Sequence, residues 1–263
     1  MSSGAPDIRK VQVTRYVLPL REGGSLPAIA EADDHFLYVL KFRGAGQGPK
    51  SLIAEFIGGE IARALGLKVP EIVFAQLDAA FGRTEPDEEI QDLLKASVGL
   101  NLGLHYLSGA ISFDPNVTTI DPQSASEIVW LDCFLMNVDR TSNNTNMLIW
   151  NKELWLIDHG ASLYFHYTPD SWETKAGAAF TQVKSHVLLP FASRLEETDK
   201  KMHTLLDVKK IKDIVDLIPE EWLYENGFSA TLWKNIYFSF LEKRFASSNI
   251  FVKDAEHVRT TLL

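Results

Sequence analysis

The apolar positions of the chain read first as strands around one helix, then as helices with one hairpin set among them. Residues 11–20, rich in Val, Tyr and Leu, predict a strand, and residues 35–42 (HFLYVLKF) predict another. Between them lie a turn-rich loop at 21–27 (REGGSLP), a short stretch at 28–31 with no assigned element, and an acidic turn at Asp33-Asp34. A second glycine-rich loop, 43–49 (RGAGQGP), leads into a predicted helix over 51–65 with Leu52, Phe56 and Ile57 near one face. Gly58-Gly59 weakens that helix, Gly66 suits a left-handed cap beyond it, and Pro70 prevents its continuation. Residues 72–77 predict a third strand.

Residues 83–95 are charged and predict a helix. The stretch 98–111 (VGLNLGLHYLSGAI) contains three glycines, so it predicts a strand running into an irregular connector. Asp121-Pro122 opens a new section in which Ser124 or Ser126 caps a helix reaching 136, with Glu127 in its first turn. Two apolar runs, 147–150 and 154–157, flank Asn151-Lys152 and predict a β-hairpin. From 178 onward the pattern is mostly helical, clearest at 208–217 and 229–244, and Pro219-Glu220-Glu221-Trp222 resembles a helix start. The order predicts an α+β fold of two lobes with a ligand cleft between them. Its parts are a flexible leader at 1–10, a β-rich N-terminal lobe with one helix and a connector at 11–110, and a mostly helical C-terminal lobe at 111–263.

Composition narrows the possibilities. Hydrophobic residues make up 46% and charged residues 23%, a soluble, globular balance in which no stretch is long enough to span a membrane. The net charge of −9 argues against direct nucleic-acid binding, which needs a basic face. The single cysteine, Cys133, excludes an internal disulfide and a multi-Cys zinc site. Residues 1–10 carry no apolar signal region, so the expected location is cytoplasmic.

The candidate chemistry is concentrated between 137 and 160. Asp139, Asn144 and Asn146 lie in a polar loop that enters the hairpin, and Asp158 leaves it. Two carboxylates and an amide at one end of a hairpin can hold Mg²⁺, which takes oxygen ligands from few carboxylates plus substrate phosphates. Asp139 can accept or orient the proton of an incoming hydroxyl, although an Asx-turn also explains it. Asn144 and Asn146 compete for the metal-binding position. Upstream, Lys41 shares a strand face with Val39, opposite Leu40 and Phe42, and Glu55 on the following helix can orient it as an ion pair. Such a Lys–Glu pair is one of the parts a kinase needs. Gly23-Gly24-Ser25 can fold over phosphates through backbone N–H groups, and Gly44, Gly46 and Gly48 precede a helix, but neither loop is a P-loop. His159 fits the place after a metal-binding Asp, and Tyr164-Phe165-His166-Tyr167 reads as core.

With these residues in order, the chain resembles the protein kinase-like superfamily and, within it, the HipA-like kinases. The resemblance rests on Tyr-Val-Leu-Lys41-Phe, the Glu55 helix ending in Ala-Leu-Gly-Leu-Lys-Val-Pro70, Asn137-Val-Asp139-Arg140, Asn144, and Leu-Ile-Asp158-His-Gly160. It spans roughly residues 11–165. The Asp-Arg and Ile-Asp-His-Gly motifs are also similar to those of phosphatidylinositol 3- and 4-kinases. The chain departs from ordinary protein kinases in lacking His-Arg-Asp, in reading Asp-His-Gly for Asp-Phe-Gly, and in lacking Ala-Pro-Glu.

The resemblance implies a bilobal, ATP- and Mg²⁺-dependent phosphotransferase acting on a Ser/Thr hydroxyl of a protein. Lys41, with Gly23, Gly24 and Ser25, would hold ATP. Glu55 would orient Lys41, Asp139 would position the hydroxyl, and Asn144 (or Asn146) and Asp158 would bind Mg²⁺. Alternatives on the same residues are a lipid or small-molecule kinase, AMP transfer on a kinase fold, or a nucleotide-binding pseudokinase. The acidic chain, without a basic cluster or amphipathic anchor, disfavours a membrane partner.

Overall fold

The computed structural model describes residues 6–20, 26–81, 86–224 and 227–262. Its architecture is mixed α and β. Five strands, β1 (Lys10–Pro19), β2 (Ala28–Ala32), β3 (Leu37–Lys41), β4 (Ile72–Leu77) and β5 (Gly99–His105), close into a barrel in the order β1-β2-β3-β5-β4. Closure comes from one parallel pairing, in which Lys10, Val11 and Gln12 of β1 lie opposite Phe74, Ala75 and Gln76 of β4. Alternate residues fill the interior: Val11 and Val13, Ala28, Ala30 and Ala32, Tyr38 and Leu40, and Val73, Ala75 and Leu77 are all buried together. Strand β2 has no counterpart in the sequence reading. Its alanines carry little strand propensity, yet small side chains are what a narrow five-stranded interior accepts.

Helix α1 (Pro49–Ala64) follows β3 and is buried without interruption from Leu52 to Ala62. A helix buried all round needs close approach, and its two glycines provide it. A Cβ on Gly58 would stand 2.6 Å from the Cβ of His159, and one on Gly59 would stand 2.5 Å from Ile72 Cδ1. The glycines that weaken the helix by propensity therefore fit it to its neighbours. Gly66, at φ +83°, takes the left-handed position just beyond. Helix α2 (Glu88–Ala96), capped by the Asp87 side chain, sends Ile90 and Leu94 against the barrel interior.

The remaining chain surrounds helix α3 (Pro122–Leu135). Its cap is Asp121, which accepts from the N–H groups of Gln123 and Ser124 at 3.0 Å, with Pro122 in the first turn. Neither Ser124 nor Ser126 caps it. The hydroxyl of Ser126 donates instead to the Pro122 carbonyl inside the helix. A short strand, β6 (Ile111–Ser112), pairs with β7 (Met147–Trp150), which pairs with β8 (Glu153–Leu156). The predicted hairpin is thus present, and Asn151 and Lys152 turn it with φ values of 50° and 65°, as a tight two-residue turn requires.

Among the described residues five further helices follow: α4 (Trp172–Ala176), α5 (Leu195–Leu205), α6 (Val208–Asp216), α7 (Ala230–Ala246) and α8 (Ser248–Leu262). The expected helix at Pro219 is only a single 3₁₀ turn, Glu220–Trp222. It ends there because Trp222 is anchored, its indole N–H donating to the Leu100 carbonyl at 2.8 Å. Phe165 stacks on Phe240 at 3.9 Å, and His166 is buried beside Tyr237, whereas Tyr164 and Tyr167 remain partly exposed. Among the described residues no helix is long and apolar enough to cross a membrane.

Candidate functional site

Strand alternation turns Leu40 and Phe42 into the barrel and Lys41 out of it, as expected. The Lys41 ammonium meets two carboxylates at once. It donates to Glu55 Oε2 at 2.6 Å and to Asp158 Oδ1 at 2.6 Å. Glu55 arrives from the buried face of α1 and Asp158 from the exit of the hairpin, so three distant parts of the sequence converge on one cation. His159, next along the chain, is buried against Gly58, and its Nδ1 lies 3.7 Å from Glu55 Oε1.

Burial alone would lower the pKa of Lys41, but Asp158 and Glu55 outweigh it and hold the ammonium well above its usual range. Burial likewise opposes the charge of Glu55, yet Lys41 and His159 draw its pKa from 4.5 down to about 2. A folded-state pKa below the unfolded one contributes stability that is present above the unfolded value and lost as pH falls toward the folded value. Glu55→Gln is therefore expected to cost on the order of 3 kcal/mol at pH 7 and much less at pH 2. Urea unfolding at both pH values checks this. Equal losses for wild type and variant between the two would show that Lys41 does not hold Glu55 ionised.

The loop leaving α3 is built with unusual rigidity. Arg244 of α7 is buried against the end of α3 and donates to the carbonyls of Cys133 and Phe134, a favourable place for a cation at a helix C-terminus. Met136 then turns the chain at φ 55°. Asn137 binds back to Asp132 through its side chain at 3.0 Å and accepts the Asp139 N–H at 3.1 Å. Arg140 points inward rather than to solvent. Its Nε donates to Asp132 Oδ2 at 2.5 Å, and its Nη1 donates to the Asn146 carbonyl.

This scaffold presents the Asp139 carboxylate at the loop surface. Its Oδ2 accepts from Asn144 Nδ2 at 2.7 Å and from Asn146 Nδ2 at 3.1 Å. The two amides that compete in the sequence therefore both bind Asp139, but they are placed differently. Asn144 is exposed. Asn146 is buried at φ 50°, and its carbonyl accepts the Ile157 N–H at 3.0 Å, so it lies across the hairpin mouth beside Asp158. With their nitrogens spent on Asp139, both amide oxygens are left without a donor among the described residues. Among the described residues no group of three or more His, Cys, Asp or Glu side chains converges as a metal site would need. The donor set is Asp158 with amide oxygens, a hard oxygen set that fits Mg²⁺ completed by substrate phosphates.

A cleft of 1820 Å³ joins these parts. Val39, Lys41 and Leu104 to Leu107 line one side, and Asn144, Asn146, Leu148 and Asp158 line the other. Of the five residues expected to act together, Lys41, Asn144 and Asp158 line this cleft with Asn146, while Glu55 joins it through Lys41 and Asp139 through the two amides. Gly23, Gly24 and Ser25 lie outside the described residues. The loop 43–49 does not line the cleft. A Cβ on Gly44 would stand 2.7 Å from Ala96, and its N–H donates to Ser97 Oγ, so packing explains that glycine. The sequence reading missed Asp132, hidden in an apolar helix. It also missed the connector Tyr106-Leu107 as a cleft wall, where nothing local distinguishes those residues.

No curated protein matches the chain. The crystal structure of the Helicobacter pylori proinflammatory kinase CtkA is similar to it in fold, with a TM-score of 0.55 at 13% sequence identity. That likeness covers 98% of this chain and 100% of CtkA. The family model described as HipA-like kinase matches residues 13–249, which takes in most of the barrel and the chain as far as helix α7, and the chain belongs to the HipA-like kinase family.

Proposed function

We propose that the chain is an ATP- and Mg²⁺-dependent phosphotransferase whose acceptor is a Ser or Thr hydroxyl of a protein. The observation that carries this reading is the cation Lys41 bridging Glu55 and Asp158, with Asp139 hydrogen-bonded to Asn144 and Asn146 of the same cleft. Phosphoryl transfer asks little covalent chemistry of the protein and much positioning and charge stabilisation. The barrel with α1, residues 11–110, would form one lobe and residues 111–263 the other. Lys41, already held charged, would bind nucleotide phosphate oxygens. The connector at Tyr106-Leu107, which lines the cleft, would border the base. Asp158 and Asn146 would hold Mg²⁺, which neutralises charge on the phosphates when bound. Asp139 would accept a hydrogen bond from the acceptor hydroxyl and orient it toward the phosphorus.

In this arrangement Asn146 is the metal ligand and Asn144 steadies Asp139. Asn146→Ala is therefore expected to raise the Mg²⁺ concentration needed for half-maximal turnover at least about tenfold, as loss of a ligand does. Asn144→Ala should lower turnover with little change in that concentration. Mg²⁺ titrations of ATP turnover in the two variants decide the assignment, and the reverse pattern would return the metal to Asn144. The reading as a whole is tested by incubating the chain with Mg²⁺, cell lysate and either γ-labelled or α-labelled ATP. Label from the γ-phosphate on Ser or Thr of a protein is the expected result. Label from the α-phosphate would identify AMP transfer, labelled lipid or small molecule would change the acceptor class, and binding without turnover would make the chain a pseudokinase.

A further inference from the structure

Residues 181–191 pass along the cleft as two short 3₁₀ turns, Thr181–Ser185 and Leu189–Phe191. Lys184, Pro190 and Phe191 of this segment line the same cleft as Asp158 and the Asn144–Asn146 loop. A segment so short of regular hydrogen bonding needs other anchors, and besides the buried side chains of Val183, Leu188 and Leu189 it has two polar ones. Thr141 and His186 form an isolated antiparallel bridge, with the Val187 N–H donating to the Arg140 carbonyl at 3.1 Å. The second anchor is a side chain. His186 Nε2 lies 2.9 Å from Asp132 Oδ2, and His186 Nδ1 accepts the Leu188 N–H at 3.0 Å. An accepting Nδ1 puts the ring proton on Nε2, so the imidazole donates to the carboxylate. His186 is 6% exposed with both nitrogens engaged, which leaves it no direct part in chemistry.

Asp132 is the same buried carboxylate that receives Arg140 and Asn137 and, through Asn137, sets the backbone of Asp139. One group thus ties down both Asp139 and a segment that lines the cleft, along which, in this reading, the acceptor would lie. We infer that His186 is a positioning residue for transfer: through Asp132 it holds the acceptor-side segment 181–191 in register with Asp139. The inference rests on the phosphotransferase reading and deepens it. Lys41 and Asp158, on which ATP and Mg²⁺ would chiefly rest, bond to each other and not to Asp132 or His186, whereas Asn146 reaches Asp132 through Arg140. Weakening the His186 bond, which leaves Arg140 in place, should therefore misplace the acceptor more than the nucleotide.

Two conservative substitutions separate the two ring nitrogens. In His186→Gln the amide can reach the place of Nε2 and keep the bond to Asp132. In His186→Asn it can reach the place of Nδ1 and keep only the Leu188 contact. The full chain is incubated with γ-labelled ATP, Mg²⁺ and dephosphorylated casein, and label on protein, the chain's own included, is divided by label released as inorganic phosphate. The ratio should stay within about twofold of wild type in His186→Gln. It should fall at least about tenfold in His186→Asn, because misplacing a reacting group by about an ångström costs up to about a hundredfold. Equal ratios in the two variants, or release that falls in step with transfer, would overturn the inference while leaving the phosphotransferase reading intact. A wild-type chain that transfers no label would overturn that reading, and the inference with it.

Discussion

Asp158→Asn is expected to lower Mg²⁺-dependent ATP turnover at least about a thousandfold, since a metal-binding carboxylate stabilises charge that the protein cannot replace. The fold should persist. The Asp158 side chain is 46% exposed and makes one strong contact, to Lys41, which keeps Glu55 when Asp158 is neutralised. Its backbone is left-handed at φ 57°, a conformation that Asn tolerates as readily as Asp. The substitution therefore removes a charge without adding strain or a cavity. Steady-state turnover alongside thermal unfolding tests both halves. Near-normal turnover would remove Asp158 from the metal site, and loss of folding would make its role structural.

The second large effect concerns stability. Arg140→Met keeps the apolar stem of the side chain but strips Asp132 of its main counter-charge and leaves three backbone carbonyls, of Thr145, Asn146 and Ile157, without the guanidinium. Asp132 and Arg140 are both fully buried. Burial opposes the Asp132 charge, and Arg140 with His186 holds its carboxyl well below the usual range. Removing one partner from such a pair costs about 3–5 kcal/mol, because the other is left as an uncompensated buried charge. That loss should appear as a lower urea midpoint. Adding Asp132→Asn to Arg140→Met should recover part of it, since the stranded charge is then gone. A single-variant loss under about 1 kcal/mol would show that the pair does not hold the loop together.

The parts of this site that were legible in the sequence are those whose signal is local. Lys41 is marked by strand alternation, Asp158 by its place after an apolar run, and Asn151-Lys152 by a polar pair between two such runs. Glu55 could be paired with Lys41 because the following helix had to fold back over the strand. What stayed hidden depends on contacts between distant segments. Strand β2 is a strand only because its alanines fit inside a closed barrel. Asp121 outcompetes Ser124 and Ser126 as the cap because Pro122 fixes the first helical residue. His186 looks like any loop histidine until Asp132, 54 residues earlier, is brought 2.9 Å from it. The choice between Asn144 and Asn146 also lies beyond spacing, since both amides reach Asp139 and only the hairpin register places one beside Asp158.

The parallel pairing of β1 with β4 has a consequence for how this half of the protein forms. Residues 10–12 find their partners only at 74–76, and β3 pairs with β5 near residue 103, so no two neighbouring strands enclose an interior by themselves. Contacts of such long sequence separation carry their loop-closure cost before any burial rewards it, which makes ring formation slow relative to the helices. Until the ring shuts, the facing edges of β1 and β4 stay open to pairing with another chain; once it shuts, residues 10–12 and 74–76 cover each other. The vulnerable interval for self-association through that seam is therefore the time before the first strand docks.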